Sequence, residues 1–95
     1  MSVEAYSIAK FRLGRIVSTP NALSRLTQED ILLGIKRHQA GDWGDLTENS
    51  RQANERALIE HTRLLSVYHA ESGIKFWLIT EADRSVTTVL LPEDY

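Results

Sequence analysis

The chain has 95 residues, of which 42% are hydrophobic and 25% charged, and its formal net charge at pH 7 is −2. This size and composition are typical of a single globular domain, so we expect residues 1–95 to form one domain with a modest core. Because the chain has no cysteine, disulfide bonds and thiolate-bound zinc or redox centres are excluded.

The charges are distributed unevenly along the chain. Residues 1–27 carry four basic residues against one acid (+3), and residues 28–95 carry seven against twelve (−5). This basic excess is too weak to favour nucleic-acid binding. The start, MSVEAYSIAKF, lacks a basic leader followed by a long apolar run, and no window approaches the roughly 20 apolar residues that span a bilayer. We therefore expect a cytoplasmic protein without a membrane partner.

The first third of the chain predicts a strand and a helical turn. In residues 10–18, KFRLGRIVS, apolar side chains at Phe11, Leu13 and Val17 indicate a half-buried or edge strand. Thr19-Pro20 follows as a helix N-cap and first helical residue, opening a short turn through Leu23 and Leu26.

Two longer helices come next. The stretch TQEDILLGIKRHQAG begins with a capping threonine and early acids, has basic residues near its end, and closes at Gly41, a residue suited to a left-handed helix stop. Thr47 or Asp45 can cap the following ENSRQANERALIEH, whose apolar stripe is thin: Ala53, Ala57 and Leu58, with Leu46 at its entrance.

Beyond His61 the chain becomes rich in β-branched and aromatic residues. RLLSVYH, IKFWLIT and SVTTVLL are separated by Ser72-Gly73 and by a polar EADR segment, which predicts a three-stranded antiparallel meander. The predicted fold class is α+β: a strand, two or three helices and the meander, with the helices on one face of the sheet. The predicted core is apolar throughout: Leu13, Val17, Leu23, Ile31, Leu32, Ile35, Trp43, Leu58, Leu65, Val67, Phe76, Leu78, Val89 and Leu91.

The stretch GDWGDL allows two interpretations. In the functional one, Asp42, Asp45 and Glu48 supply oxygen ligands to a hard metal ion with His38 nearby as a base, as in a nuclease-like enzyme. In the structural one, which we favour, Gly41 ends a helix, Trp43 anchors the core, a turn follows at Gly44, and Asp45 or Thr47 caps the next helix. We expect no metal, no cofactor and no catalytic residue.

The remaining motifs give weak functional signals. His38, His61 and His69 have no spacing that demands a shared metal, and no nucleophile elbow or glycine-rich phosphate loop is present. Lys10, Arg12 and Arg15, with Phe11 and Tyr6, form one basic and aromatic cluster, which leaves a small nucleic-acid-contacting strip as an alternative to a solvated strand edge.

A polar turn, TEADRSVTT, lies between the last two predicted strands. We expect an Asp83 side-chain turn with a local Asp83–Arg84 pair. As a rival, a carboxylate and Arg84 would serve as base and anion clamp. Arginine and acids on a rigid loop also suit partner recognition.

Taken together, LGRIVSTPNAL, GDWGDLTENSRQAN, RLLSVYH and WLITEADRSVTTVLLPEDY resemble a widespread family of short, uncharacterised bacterial proteins called plasmid-related, carried on plasmids and integrative elements. The resemblance covers roughly residues 13 to 95. It implies a mobile-element context and carries over no catalytic residues. By analogy of context, such small proteins often bind and block a host defence complex, such as a CRISPR effector (anti-CRISPR) or a restriction enzyme.

Our hypothesis for function is a non-enzymatic protein-binding accessory or inhibitor protein that contacts a protein partner or a second copy. In IKFWLIT, Trp77 and Ile79 alternate with Phe76 and Leu78, so a single helix layer buries only one of the pairs. We expect the Trp77–Ile79 pair to form the partner surface with Asp83 and Arg84 on its rim, unless residues 1–12 fold back over it.

Overall fold

The computed structural model describes residues 9–95. In chain order its elements are β1 (Arg15–Ser18), α1 (Pro20–Arg25), α2 (Gln28–Gln39), α3 (Glu48–Glu60), β2 (Leu64–His69), β3 (Lys75–Thr80), β4 (Val86–Leu90) and a final 3₁₀ helix (Pro92–Asp94). The α+β class is therefore confirmed. Among the residues described, no helix is both long and apolar enough to cross a bilayer.

The four strands form one mixed sheet in the order β1-β4-β3-β2. Strands β2, β3 and β4 make the predicted antiparallel meander. The sheet is not antiparallel throughout, because β1 pairs with β4 in parallel, with Ile16 opposite Thr87 and Ser18 opposite Val89. Three helices separate β1 from the meander, and parallel neighbours need such a long connection.

The first strand is shorter than the sequence predicted. It begins at Arg15, whereas the prediction placed it from residue 10. Gly14 has φ +66°, and a Cβ at this position would overlap the backbone of Ser85. A left-handed residue packed this closely on a neighbouring turn breaks the extended conformation, so residues 10–14 lie outside the sheet.

Threonine side chains cap the N-termini of α1, α2 and α3. The hydroxyl of Thr19 accepts from the backbone N–H of Ala22 at 3.1 Å, and Thr27 forms a reciprocal capping box with Asp30. Thr47 accepts from the N–H of Ser50 at 3.1 Å, so Thr47, not Asp45, caps α3. Each cap satisfies a backbone donor that the first helical turn leaves unpaired.

The main core lies between the helices and one face of the sheet. Its centre consists of buried apolar side chains from α1, β2, β3 and β4 and the residues that follow α1, β2 and β4: Ala22, Leu26, Tyr68, Ala70, Phe76, Leu78, Val89 and Leu91. Ile31 and Ile35 of α2 pack against this centre. The predictions for Leu23 and Leu32 were wrong: these side chains are 61% and 54% exposed, because they lie on the outer faces of α1 and α2.

Helix α3 packs at the edge of the sheet through a polar residue. Ala53, predicted to face the core, is exposed, and its neighbour Asn54 is only 4% exposed. The Asn54 side-chain amide donates to the carbonyl of Leu65 at 2.7 Å and accepts from the N–H of Leu65 at 3.1 Å. This side chain thus takes the place of a neighbouring strand beside β2.

Candidate protein-binding surface

The sheet has a second face, which points away from the helix layer. As predicted, Phe76 and Leu78 of β3 pack into the helix-side core while Trp77 and Ile79 alternate to the other side. The strand register places other apolar side chains beside this pair: Leu65, Val67 and Leu90. We call these five residues the outer sheet face.

Within the outer sheet face, Trp77 contacts the aromatic ring of Tyr95. Its ring is half-buried and meets the ring of Tyr95 edge-on, with 5.6 Å between centroids. Ile79 is only 6% exposed, so its side chain contributes little accessible area. The accessible part of the predicted pair is therefore Trp77, extended by Tyr95, which is 72% exposed.

A polar group borders this aromatic pair. Arg63 donates from Nη1 to the Tyr95 hydroxyl at 2.9 Å, and its Nε lies 3.2 Å from a carboxylate oxygen of Glu81. These contacts hold Tyr95 beside Trp77. Sequence reasoning missed this part of the site, because Arg63 and Tyr95 are 32 residues apart.

The alternative in which residues 1–12 fold back over the outer sheet face can be examined only for residues 9–12. Residues 1–8 lie outside the described part of the chain. Phe11 lies on the helix side, where its ring is 5.0 Å from the ring of His38 and 6.1 Å from that of Trp43 between centroids. This part of the segment is therefore directed away from Trp77.

The two predicted rim residues have different surroundings. The exposed Asp83 carboxylate accepts from the N–H of Ser85 at 3.0 Å, which closes the expected side-chain turn. Hydrogen bonding from the Ser85 side chain, and then from this N–H, lowers the Asp83 pKa. The predicted pair between Asp83 and Arg84 does not form, because the guanidinium of Arg84 points toward the end of α3. There it donates to the carbonyls of Ala57 at 2.9 Å and Thr62 at 2.7 Å.

Arg84 thus caps a helix from a distant loop. Its φ of +61° turns the side chain back toward α3, and its Nη1 also donates to the carbonyl of Glu81 at 3.0 Å. A cation at a helix C-terminus meets the negative end of the helix dipole and unpaired carbonyls. Because its guanidinium N–H groups donate to backbone carbonyls of this chain, Arg84 stabilises the loop and the end of α3.

The structure confirms the structural interpretation of GDWGDL. Gly41 and Gly44 have φ +83° and +80°, and Trp43 is 1% exposed. The indole N–H of Trp43 donates to the Glu55 carboxylate at 2.8 Å. At Gly44 a Cβ would overlap the carbonyl oxygen of Val67, so glycine permits this segment to pair with the edge of β2.

The three carboxylates of the metal hypothesis each bind a different neighbour. Asp42 forms two hydrogen bonds with Arg37, at 2.7 and 3.2 Å, which lower the Asp42 pKa. Asp45 lies 3.0 Å from the imidazole of His69, and Glu48 lies 3.7 Å from Arg51. Within residues 9–95 no group of three or more acidic or histidine side chains is placed to hold a metal ion.

His38 lies in a buried polar chain that sequence reasoning missed. Its side chain is inaccessible, with Nδ1 2.5 Å from the Ser66 hydroxyl and Nε2 2.8 Å from the Thr80 hydroxyl. Thr80 in turn lies 2.7 Å from Thr87, which donates to the carbonyl of Leu13 at 2.7 Å. Hydroxyl residues at inward positions of otherwise apolar strands were the sequence signal for this series of buried hydrogen bonds.

The direction of these hydrogen bonds fixes the state of the imidazole. The Thr87 hydroxyl donates its proton to the Leu13 carbonyl. The Thr80 hydroxyl therefore donates to Thr87 and accepts from Nε2–H of His38. Nδ1 is then the acceptor for Ser66. Burial, together with the charge of Arg84, lowers the His38 pKa to about 3, so the ring is neutral.

The basic cluster of the nucleic-acid hypothesis remains at the surface. Lys10, Arg12 and Arg15 are all exposed, and none of them forms an ion pair within residues 9–95. They do not share one strand, since only Arg15 lies in β1. Tyr6, the aromatic residue grouped with them, lies outside the described residues.

Comparison of the chain with protein-family models, with curated proteins and with solved structures gave no match. The resemblance to plasmid-related proteins therefore stays a prediction.

Proposed function

We propose that the chain is a non-enzymatic protein-binding protein, an accessory or inhibitor factor, that engages its partner through Trp77 of the outer sheet face and the neighbouring Tyr95. The observation that carries this proposal is the half-buried Trp77, whose ring meets the exposed ring of Tyr95 edge-on, on the side of the sheet opposite the helices. Aromatic anchors of this kind, rimmed by polar groups, are the residues that dominate binding energy at protein interfaces.

The state of the polar side chains supports binding over catalysis. Asp42 is paired with Arg37 and Asp45 with His69, and His38 uses both ring nitrogens in buried hydrogen bonds. General acid–base chemistry needs a titratable group within reach of a substrate. His38, the base in the metal hypothesis, has no accessible surface.

The surface also indicates the chemistry of the partner. An aromatic pair beside the Arg63–Glu81 ion pair suits an apolar side chain flanked by polar groups of both signs. The mobile-element context suggested by the resemblance adds a class of partner, a host defence complex such as a CRISPR effector or a restriction enzyme.

The experiment is a pull-down from the native bacterial host, analysed by mass spectrometry, with three baits. These are the wild type, Trp77→Ser and the control Ile59→Ser, which removes an 80% exposed apolar side chain from α3. We expect one dominant complex on the wild type and on Ile59→Ser, and its loss on Trp77→Ser with circular dichroism unchanged. Equal capture by all three baits would refute the proposed surface.

Two titrations test the rival functions. Calorimetry with divalent metal ions is expected to show no specific binding, and a submicromolar site that disappears in Asp42→Asn would defeat the proposal. Steeply salt-dependent binding of DNA or RNA, weakened by neutralising Lys10, Arg12 and Arg15, would instead support the nucleic-acid hypothesis.

A further inference from the structure

The two edges of the sheet differ in how they are protected. At the β2 edge, the Asn54 side-chain amide pairs with the backbone of Leu65. The backbone N–H of Asp45 donates to the carbonyl of Val67, and the N–H of Val67 donates to the carbonyl of Trp43. At the other edge, within residues 9–95, β1 has β4 as its sole neighbour. An open edge presents unpaired backbone donors and acceptors to another strand.

The hydrogen bonds to β4 show which groups of β1 point outward. Arg15 and Thr19 donate to the carbonyls of Ser85 and Val89. Because the direction alternates along a strand, Val17 also points inward, and the N–H and C=O groups of Ile16 and Ser18 point away from the sheet. These four groups form a short edge.

An apolar groove runs beside this edge. It has a volume of about 510 Å³ and is lined by residues of β1, α1, α2 and β4 and by Leu26, which follows α1. Ile16, Leu23 and Leu32 line it and are 45%, 61% and 54% exposed. No charged side chain is among the ten residues that line it, and the one charged residue of β1 is Arg15, at the start of the strand.

We propose that the β1 edge and this groove bind a second copy of the chain, forming a two-fold symmetric dimer. Antiparallel pairing centred on Val17 places Ile16 opposite Ser18 of the other copy, so all four outward backbone groups find partners. Arg15 then faces Thr19 of the other copy, and no like charges meet. The edge is thus complementary to itself.

The same symmetry accounts for the exposed leucines. Antiparallel neighbours are related by an axis perpendicular to the sheet, so the helix layers of both copies lie on the same side. Leu23 and Leu32, beside β1 in each copy, then approach their counterparts across the seam. Because the paired segment is only four residues long, the interface lies at the small end of specific interfaces, and we expect a dissociation constant in the range of about 1–100 μM.

The test is sedimentation equilibrium of the full chain over a range of concentrations. We expect a monomer–dimer equilibrium that Leu32→Glu weakens at least tenfold and that Leu33→Glu leaves unchanged. Leu33 is the matched control, since it is the next residue of α2 and is 59% exposed but lies outside the groove. Hydrogen exchange should show protection of the Ile16 and Ser18 amides that rises with protein concentration.

Three outcomes would overturn the proposal. A wild-type monomer at about 1 mM would show that the edge does not pair with a second copy. Equal weakening by Leu32→Glu and Leu33→Glu would place the interface elsewhere on α2. A dimer that persists in Leu32→Glu but is lost in Trp77→Ser would place the dimer interface on the outer sheet face. That result would not contradict the proposed function.

Discussion

Burial of a neutral histidine makes the stability of this fold depend on pH. The folded-state pKa of His38 is about 3, against 6.5 for the unfolded side chain. Between these values the unfolded state binds the proton and the folded state does not, so acid favours unfolding. The free energy of unfolding is therefore highest above about pH 6.5 and falls as the pH is lowered from 6.5 toward 3.

The size of the effect follows from the pKa difference. One unit of pKa corresponds to about 1.4 kcal/mol, so this single group is expected to remove about 2 kcal/mol of stability between pH 8 and pH 5. The acids with lowered pKa values, such as Asp42 and Asp94, have an ordinary pKa of 3.8. They lose their contribution at lower pH, which makes the range from about 7 to 5 the informative one.

The assay is urea denaturation at several pH values for the wild type and for His38→Gln. An amide at this position keeps one donor and one acceptor but binds no proton over this range. We expect the variant to be less stable at pH 8 and its stability to change less with pH. The difference between the two proteins should shrink by about 2 kcal/mol between pH 8 and pH 5. Parallel curves would show that His38 is not held neutral by burial.

Three further substitutions test other parts of the fold, each by urea denaturation. Asn54→Ala should cost about 2–3 kcal/mol, because it unpairs both backbone groups of Leu65, whereas the exposed Asn49→Ala should cost little. Gly44→Ala should cost more than Gly73→Ala by at least about 2 kcal/mol: both glycines have positive φ, but only at Gly44 does a Cβ meet the backbone. Arg84→Met should cost about 1–3 kcal/mol by uncapping α3, and an unchanged midpoint would refute its role there.

Much of the fold was predictable because the signals are local. Threonine caps, the positive-φ glycine after α2 and the β-branched runs each act within a few residues, and they fixed the ends of α2 and of the three meander strands closely. The position of β1 was not predictable in the same way. Its parallel pairing with β4 depends on residues about 70 apart, such as Ile16 and Thr87, and no local pattern encodes that register.

The candidate site was predictable only in outline. Alternation in β3 identified the two faces of the sheet, but the contact between Trp77 and Tyr95 joins the third strand to the last residue of the chain. Arg84 was expected to pair with Asp83 beside it, whereas the structure directs it to the carbonyls of α3. A long side chain can reach partners that are distant in sequence, so the spacing of residues in the sequence does not identify its partner.

The two proposed surfaces are geometrically linked. Pairing of β1 with its counterpart would give a continuous eight-stranded sheet, with the outer sheet faces of both copies on the same side. Strand β3 is two strands in from the seam, so the two Trp77 positions would be five strand spacings, or about 24 Å, apart across the sheet. They would also be offset by about 13 Å along the strands, which gives about 27 Å in all. A partner that presents two matching sites at this separation would bind both copies at once, and such bivalent binding strengthens affinity by roughly 10²–10⁴. Leu32→Glu should then weaken binding of the two-site partner by this factor and leave binding to a single site unchanged. Equal weakening of both would show that Leu32 contacts the partner directly.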